Sequence, residues 1–505
     1  MQSDIVQTIL GLLPYDILPL MVVLPILGSI IAYFAGSRGS RGIALLITSI
    51  ELVLAFVLAF SITTTYAEGD PFAGMQFLWE YTFATLTTGS SDISFQLYLG
   101  VDGISVAMVI LANLVVLIAT ISSNHINKSK GLYYALILLL QSGLLGVFMS
   151  LDLIGFFIFW ELVLIPMFFI IGRWGEEGSQ HAAIKFFIYT HLGSAVMLVG
   201  FFVLFFVSTP HTFNMLLLRE MGLPIDIQIG FALAVFMGAG VKLPIFPLHN
   251  WLPWAHVKAP TPGSVILAGI LLKMGGYGFI RLGLWLIPDA FVQLSIPFAI
   301  LAIFTCIYAA FTALAQTDMK SMVAYTSINH MSWVLLGVAV GTSLAIQGAV
   351  FMMVSHGVII SVMFIMAGQL KYAAGTREIP DIQGLMTKAP KMSAVLILAS
   401  FAAFGLPGLS GFVAEALIIF GSVVVYIWAP VIAFGIFLTV GYLLWTLNRI
   451  VFSEPDPEKD VEDAPWSDLI APIIMLIPVI LLGVWPDLIL DLIRASADFI
   501  VGGVP

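Results

Sequence analysis

The chain has 505 residues, of which 60% are hydrophobic and only 10% are charged. A soluble protein carries about 25% charged residues, so the composition excludes an ordinary soluble domain. Much of the net charge of −10 lies in one loop, 453–468, and no basic stripe supports nucleic-acid binding. Cys306 is the only cysteine, which excludes a disulfide within the chain and a four-thiolate iron–sulfur cluster held by it.

Repeated apolar runs match the roughly 20 residues that a helix needs to cross a bilayer. They predict an all-α membrane protein that forms a single polytopic domain (1–505) with about fourteen transmembrane helices. The predicted spans lie near 17–35, 43–65, 101–121, 131–149, 153–171, 184–206, 227–249, 263–286, 295–316, 320–341, 345–369, 392–425, 428–452 and 467–490. We divide the chain into N-terminal spans (1–130), a first five-helix repeat (131–286), a second five-helix repeat (295–452) and a C-terminal span (467–505).

The distribution of lysine and arginine predicts the orientation of these spans. Loops after odd-numbered spans hold fourteen of these residues, Lys320 and Lys459 among them, whereas loops after even-numbered spans and the C-terminal tail hold Arg219, Arg281 and Arg494. Because cytoplasmic loops collect positive charge, this bias predicts that both termini lie on the outer side of the membrane.

Two predicted spans contain helix-breaking residues. Span seven runs into GAGVKLPIFPLHNWLPWAH (238–256), and span twelve contains FGLPGLSGFVAE (404–415). Proline removes a backbone donor and glycine loosens a helix, so both spans are predicted to be broken. Each break falls in the fourth span of its set of five, spans 4–8 and 9–13. Since five is odd, the second repeat would be inverted, and paired breaks of this kind indicate an ion pathway at the repeat interface.

Six titratable residues are predicted at membrane depth. They are Glu161, Lys242, Lys273, His330, His356 and Glu415. A charge at the centre of a membrane helix costs about 2.5–3.5 kcal/mol, so these groups must pair, hydrate or become neutral, and Lys242 is the predicted partner of Glu161. Their similar depth in different helices predicts a row parallel to the membrane plane that can carry protons.

Other polar residues receive weaker interpretations. Lys185 and His249 lie near span ends and are possible auxiliary groups, and most of Glu51, Asp102, Asp152 and Asp318 are interpreted as interfacial. A Glu–Lys pair can also serve only to hold helices together, and a lone buried histidine is often a packing residue. Two histidines in neighbouring spans could also ligate a haem. No GxGxxG, Walker A, CxxCH or HExxH motif occurs, so we expect no cofactor and no metal in this chain.

Four stretches of the sequence resemble the antiporter-like proton-pumping membrane subunits of respiratory complex I. They are FWELVLIPMFFIIGRWG (159–175), VKLPIFPLHNWLPWAHVKAPTPGSVILAGILLKMGGYGFIR (241–281), YTSINHMSW (325–333) and GLPGLSGFVAEALIIFGS (405–422). Most relatives have lysine where this chain has Glu415, and glutamate there is similar to the chain M or subunit 4 branch. Trp254 and Lys258 depart from the family, which usually has acids at both positions.

The resemblance also implies roles for the six residues. Glu161 would pair with Lys242, Lys273 would be the central relay, and the two histidines would connect it to Glu415. The chain would be a proton-translocating subunit, without a redox centre of its own, of a complex I-like oxidoreductase that passes electrons from NADH or another reduced donor to a quinone-type acceptor. Flavin and iron–sulfur clusters would belong to partner subunits, and adjacent antiporter-like subunits would be its neighbours.

The resemblance leaves several points open. The implied location is the cytoplasmic or inner membrane, with a thylakoid or other energy-converting membrane as the alternative. The electron donor, the acceptor and the choice between H⁺ and Na⁺ are not specified by the sequence. A subunit of a multi-subunit Na⁺/H⁺ antiporter is the alternative function, and a structural or haem-binding anchor is a third hypothesis.

Overall fold

The computed structural model describes residues 16–64, 74–88, 91–458 and 461–502. Within these ranges the chain is mostly helical, with one antiparallel hairpin of β1 (Gln76–Thr88) and β2 (Ser91–Val101). The helices are α1 Ile17–Ser61, α2 Gly103–Ile121, α3 Lys130–Met149, α4 Leu153–Trp174, α5 Ser179–Val207, α6 Met215–Glu220, α7 Ile225–Lys242, α8 Trp251–Lys258, α9 Thr261–Trp285, α10 Pro288–Leu314, α11 Met319–Val340, α12 Ser343–Ala374, α13 Leu385–Lys388, α14 Pro390–Ala403, α15 Ser410–Val423, α16 Ala429–Ile450, α17 Trp466–Val484 and α18 Asp487–Gly502.

Twelve helices in the described ranges are long and apolar enough to cross a membrane. The longest, α1, covers both of the first two predicted spans and bends at Gly36, whose φ of +60° suits a residue without a side chain. Two shorter apolar helices, α14 and α15, occupy the twelfth predicted span. Helical backbone therefore underlies all fourteen predicted segments, and the multi-span helical fold is confirmed. The exact number of crossings, the domain boundaries and the inverted repeats stay predictions.

Both predicted helix breaks are present. Helix α7 ends at Lys242, and α8 begins only at Trp251. Helix α14 ends at Ala403 and α15 begins at Ser410, with two glycines of positive φ between them, Gly405 at +75° and Gly408 at +91°. The breaks leave short helix ends in the interior of the bundle, beside the predicted site residues.

Helix α9 lies at the centre of the molecule. The most apolar stretch of α9 is entirely buried. The most apolar stretch of α12, the helix that packs against α9, is entirely buried as well. Two π-helical stretches interrupt α9, Leu267–Leu271 and Phe279–Trp285, one on each side of Lys273. Such wide turns alter the backbone hydrogen-bond pattern and are frequent at functional sites.

Two elements were not anticipated from the sequence. One is the β1–β2 hairpin, and the other is α18, which packs against the start of α2. The amide of Gly103 donates to Ser496 Oγ at 3.0 Å, and a Cβ on Gly103 would lie 1.8 Å from the carbonyl oxygen of Leu492. Only glycine permits this close approach between the two helices.

The structure corrects three interpretations of charged residues. Lys320 and Arg281 are not loop residues, because they lie within α11 and α9 and are 1% and 0% exposed. Arg281 donates to Asp102 Oδ1 at 2.7 Å, so this charge is paired in the interior. Glu51 is fully buried in α1 rather than interfacial, and neither of its carboxylate oxygens has a hydrogen-bond partner among the described residues. Lys459, which also entered the charge count, lies outside the described residues.

Candidate functional site

Lys273 and His356 form the centre of the candidate site. Lys273 Nζ lies 2.7 Å from His356 Nδ1 and donates to the backbone carbonyl of Ala268 at 2.5 Å. Ala268 belongs to the first π-helical stretch of α9. The irregular backbone next to the lysine therefore supplies a hydrogen-bond acceptor for its ammonium group. Both side chains are buried, the lysine at 0% and the histidine at 2% exposure. Lys273 and His356, which were predicted to lie in one row, are therefore in direct contact.

His330 continues this group from α11. Its ring centre lies 5.4 Å from that of His356, and the two rings are nearly perpendicular at 78°. This edge-to-face packing leaves no room for a porphyrin plane between the imidazoles, and one nitrogen of His356 already faces Lys273. The geometry thus disfavours the haem-ligand interpretation and fits a contiguous Lys–His–His group.

Glu415 lies at the second helix break. Its carboxylate rests against Gly405, where an added Cβ would lie 2.1 Å from Oε2. The His330 ring interacts with the backbone of Ala403, the last residue of α14. His330 and Glu415 therefore both lie against the backbone of the same break.

Glu161 is hydrogen-bonded to residues other than Lys242, although the lysine interacts electrostatically with it. Ser194 Oγ donates to its Oε1, and His191 Nδ1 lies 2.8 Å from its Oε2. Lys242 Nζ instead donates to the backbone carbonyl of Trp160 at 3.5 Å and lies 4.8 Å from the centre of the indole ring. No ion pair between Glu161 and Lys242 within 4 Å is formed in the part of the chain that the structure describes. Ser194 and His191 of α5 hold the carboxylate of Glu161. Lys242 therefore bonds to the carbonyl of Trp160, the residue directly before the acid.

The two auxiliary candidates lie apart from this row. Lys185 Nζ is 4.9 Å from the ring centre of Trp254. The His249 ring packs between Phe246 and Tyr308, at 5.7 and 5.3 Å between ring centres. Among the described contacts neither forms a hydrogen bond or ion pair with the six predicted residues.

Known proteins match the part of the chain that contains these residues. A family model described as NADH:quinone oxidoreductase/Mrp antiporter, TM matches residues 150–440, which include all six predicted residues. The F(420)H(2) dehydrogenase subunit M of Methanosarcina mazei is 36% identical over 494 residues, covering 91% of this chain and 98% of that protein. The chain belongs to this family. The NADH-quinone oxidoreductase subunit M of Rhodobacter capsulatus is 35% identical over 484 residues, covering 92% and 91% of the two chains.

Solved structures agree with this membership. A chain of respiratory complex I from Thermus thermophilus superposes with a TM-score of 0.86 at 26% identity, covering 97% of this chain and all of that one. A chain of the Mrp complex from Dietzia superposes with a TM-score of 0.84 at 18% identity, over 97% and 99% of the two chains, which shows a shared fold. This member of the NADH:quinone oxidoreductase/Mrp antiporter family is thus a multi-pass membrane protein with the fold of complex I membrane subunits.

In this family member, two buried residues that the sequence reasoning missed extend the site. His256 is fully buried and stacks on Phe364 at 4.4 Å, and neither of its ring nitrogens has a hydrogen-bond partner among the described residues. Lys320 Nζ donates to the carbonyl of Ala259 at 2.8 Å. Both Lys320 and Lys273 interact electrostatically with His256. The signal in the sequence was the histidine of AHVKAP, which follows the first helix break.

A charged cluster surrounds Glu176, which lies in the loop between α4 and α5. Glu176 accepts hydrogen bonds from two guanidinium nitrogens of Arg377, at 2.5 and 3.2 Å, and pairs with Lys371 at 3.0 Å. Partial burial would raise the pKa of Glu176, but the hydrogen bonds and charges of these two cations outweigh it, so its pKa lies below the usual range. The cluster lines a cavity of about 190 Å³ that also includes Tyr372.

Proposed function

We propose that this chain is a proton-translocating membrane-arm subunit of a complex I-like oxidoreductase. Electrons would pass from NADH or another reduced donor to a quinone-type acceptor in partner subunits, which would hold the flavin and iron–sulfur clusters. The chain would itself hold no redox centre, since it has one cysteine and no cofactor motif. Support comes from relatives that are named as subunit M of NADH-quinone oxidoreductases and of an F(420)H(2) dehydrogenase. Its neighbours would be the adjacent membrane-arm subunits.

One observation carries the proposal. A buried lysine and a buried histidine lie 2.7 Å apart, with a second histidine ring 5.4 Å away. Lysine and histidine are side chains whose proton affinity burial and neighbouring charges can move into the physiological range. A proton can therefore be passed between Lys273, His356 and His330. In this proposal the Glu161 and Lys242 end loads the row, Glu415 ends it, and Lys185 and His249 are auxiliary groups.

The energies involved are compatible with pumping. Two unit charges about 6 Å apart at an effective dielectric of about 20 interact by roughly 2.8 kcal/mol. Moving one proton across 100 mV costs about 2.3 kcal/mol. Forming or separating one charge pair within the row is thus of the right size to drive one proton. The positive charges at one side of the spans further suggest that both termini face the outer, positive side.

The test replaces Lys273 with glutamine in the complete membrane complex. We expect a complex that assembles but whose proton uptake into proteoliposomes falls at least about tenfold, because a row without its central cation is interrupted. Lys128→Gln, at an exposed position, is the matched control and should pump normally. Electron transfer is measured in parallel to separate coupling from turnover.

Two outcomes would contradict the proposal. Normal proton uptake by an assembled Lys273→Gln complex would remove the lysine from the pathway. Uptake that depends on a sodium gradient rather than on electron transfer would favour the alternative, a subunit of a Na⁺/H⁺ antiporter.

A further inference from the structure

His191 has an unusual position for a polar side chain. It lies midway along α5, and its side chain is 53% exposed. The large exposed residues around it on this helix are apolar, with Ile188 at 57%, Leu192 at 65% and Val199 at 63% exposure. A surface of this kind contacts lipid or another membrane subunit. An ionisable group at this depth is costly in lipid and indicates a functional site with a partner group.

The inward side of His191 is bonded to the candidate site. Its Nδ1 lies 2.8 Å from Glu161 Oε2, and its ring stacks on Phe187 with 5.5 Å between ring centres and 18° between planes. Ser194, one turn further along α5, holds the other oxygen of the same carboxylate. Glu161 is itself 19% exposed, so its carboxylate lies between the outer face of α5 and the buried interior.

The interior side of Glu161 leads to Lys242. The lysine ammonium group is bonded to the carbonyl of Trp160, the residue directly before the acid. The carboxylate therefore has two positively charged or protonatable groups near it, one on each side. In the structure the carboxylate is hydrogen-bonded to His191, the outer group. Lys242 is hydrogen-bonded to the carbonyl of Trp160 instead.

We propose that His191 is the alternative partner of Glu161 and the proton-exchange group that connects the row to the outer face of this subunit. When His191 is protonated, the imidazolium holds the Glu161 carboxylate away from Lys242. Transfer of the Nδ1 proton to the carboxylate leaves a neutral imidazole and a neutral carboxyl group, which ends the charge attraction. Glu161 is then free to turn inward and pass this proton on, and the Nδ1 atom that it leaves accepts a new proton from water or a polar group on the outer face, which restores the imidazolium. This inference rests on the proposed function.

The partner that fits this face follows from the same chemistry. An exposed imidazole surrounded by Ile188 and Leu192 is best covered by a second membrane subunit that presents water or a polar side chain at this depth.

Other titratable groups near His191 also contribute to the pH response of pumping. On α5 and the helices packed against it they are Arg173 and Glu161 on α4, His181, Lys185 and Tyr189 on α5, Asp226 and Lys242 on α7, and His256 and Lys258 on α8.

The experiment compares His191→Gln, His191→Phe and the control His181→Gln in the complete reconstituted complex. Proton uptake and electron transfer are measured against pH. Glutamine keeps a hydrogen-bond donor but cannot exchange a proton, so we expect it to assemble, to pump about 10- to 100-fold more slowly and to change the pH profile of pumping. Phenylalanine should behave like glutamine or worse. The control, an exposed histidine near the start of the same helix, should match the wild type.

The outcomes separate this inference from the function on which it rests. A His191→Gln complex with the wild-type rate and pH profile would show that the hydrogen bond alone matters and would overturn the proposal. Loss of assembly with glutamine as well as phenylalanine would assign His191 to subunit docking instead of proton exchange. Normal His191 variants beside a defective Lys273→Gln complex would refute this inference while leaving the proposed function intact.

Discussion

Gly405→Ala displaces the carboxylate of Glu415, the proposed end of the proton row, without removing a titratable group. A Cβ at this position would lie 2.1 Å from Glu415 Oε2 and 3.0 Å from its Cδ. Because separations below 3.0 Å do not occur, the carboxylate has to move by roughly 1 Å. The oxygen is the far end of a flexible side chain, so it can move at little cost in folding. The change therefore repositions Glu415 and leaves its chemistry intact.

Gly408→Ala is the matched control at the same helix break. Gly405 and Gly408 both have positive φ, +75° and +91°, so alanine at either position costs roughly 1–2 kcal/mol of backbone strain. A Cβ on Gly408 would meet no atom within 4 Å. Comparing Gly405→Ala with Gly408→Ala therefore separates the effect of moving the Glu415 carboxylate from the effect of backbone strain in the break.

A misplacement of about 1 Å in a reacting group can cost on the order of 100-fold in rate. We expect Gly405→Ala to assemble, to melt at a temperature close to that of Gly408→Ala, and to pump protons about 10- to 100-fold more slowly. The assay is turnover-coupled proton uptake in proteoliposomes, with thermal unfolding of the same preparations. Equal pumping by the two variants would refute the idea that the position of Glu415 matters to the row.

Three further predictions follow from other contacts. Asp102→Ala leaves the Arg281 guanidinium buried without its ion-pair partner and should destabilise the chain by about 3–5 kcal/mol in thermal unfolding, whereas a double Asp102→Ala, Arg281→Met variant should lose less. His356→Ala should reduce pumping more than His330→Ala, because only His356 contacts the relay lysine. Glu176→Gln should lower stability at neutral pH. Since the pKa of the acid lies below 4.5, this difference should shrink as the pH falls below that value, which unfolding measured against pH would check.

The helix breaks could be predicted because their causes are local. Proline and glycine act on the backbone wherever they stand, so the breaks after Lys242 and Ala403 are encoded by the neighbouring residues themselves. The hairpin at 76–101 was missed because a hydropathy window detects long apolar runs and not the alternation that is typical of strands. Helix α18 was missed because it is amphipathic and follows directly after an apolar span.

Contacts between helices could not be predicted in the same way. Lys320, the first residue of the tenth predicted span, was counted with the loop before that span, yet its ammonium group donates to the carbonyl of Ala259 in the interior. Glu161 was assigned to Lys242 among the six residues predicted at membrane depth, and His191 was not one of them. The choice between Lys242 and His191 depends on how far α4, α5 and α7 are rotated about their axes, and a single sequence does not contain that information.

The breaks also explain why charges are tolerated where they occur. Lys242 is the last residue of α7, where a positive charge is favoured by the helix dipole, and its ammonium group donates to the carbonyl of Trp160. Glu415 faces the bare backbone of Gly405, where the absence of a side chain provides the space for its carboxylate. Lys273 lies within a helix, but π-helical turns flank it and the Ala268 carbonyl accepts a hydrogen bond from its ammonium group. At all three sites irregular backbone supplies the polar surroundings or the space that a regular apolar helix would deny, so the irregularities are a condition for the row.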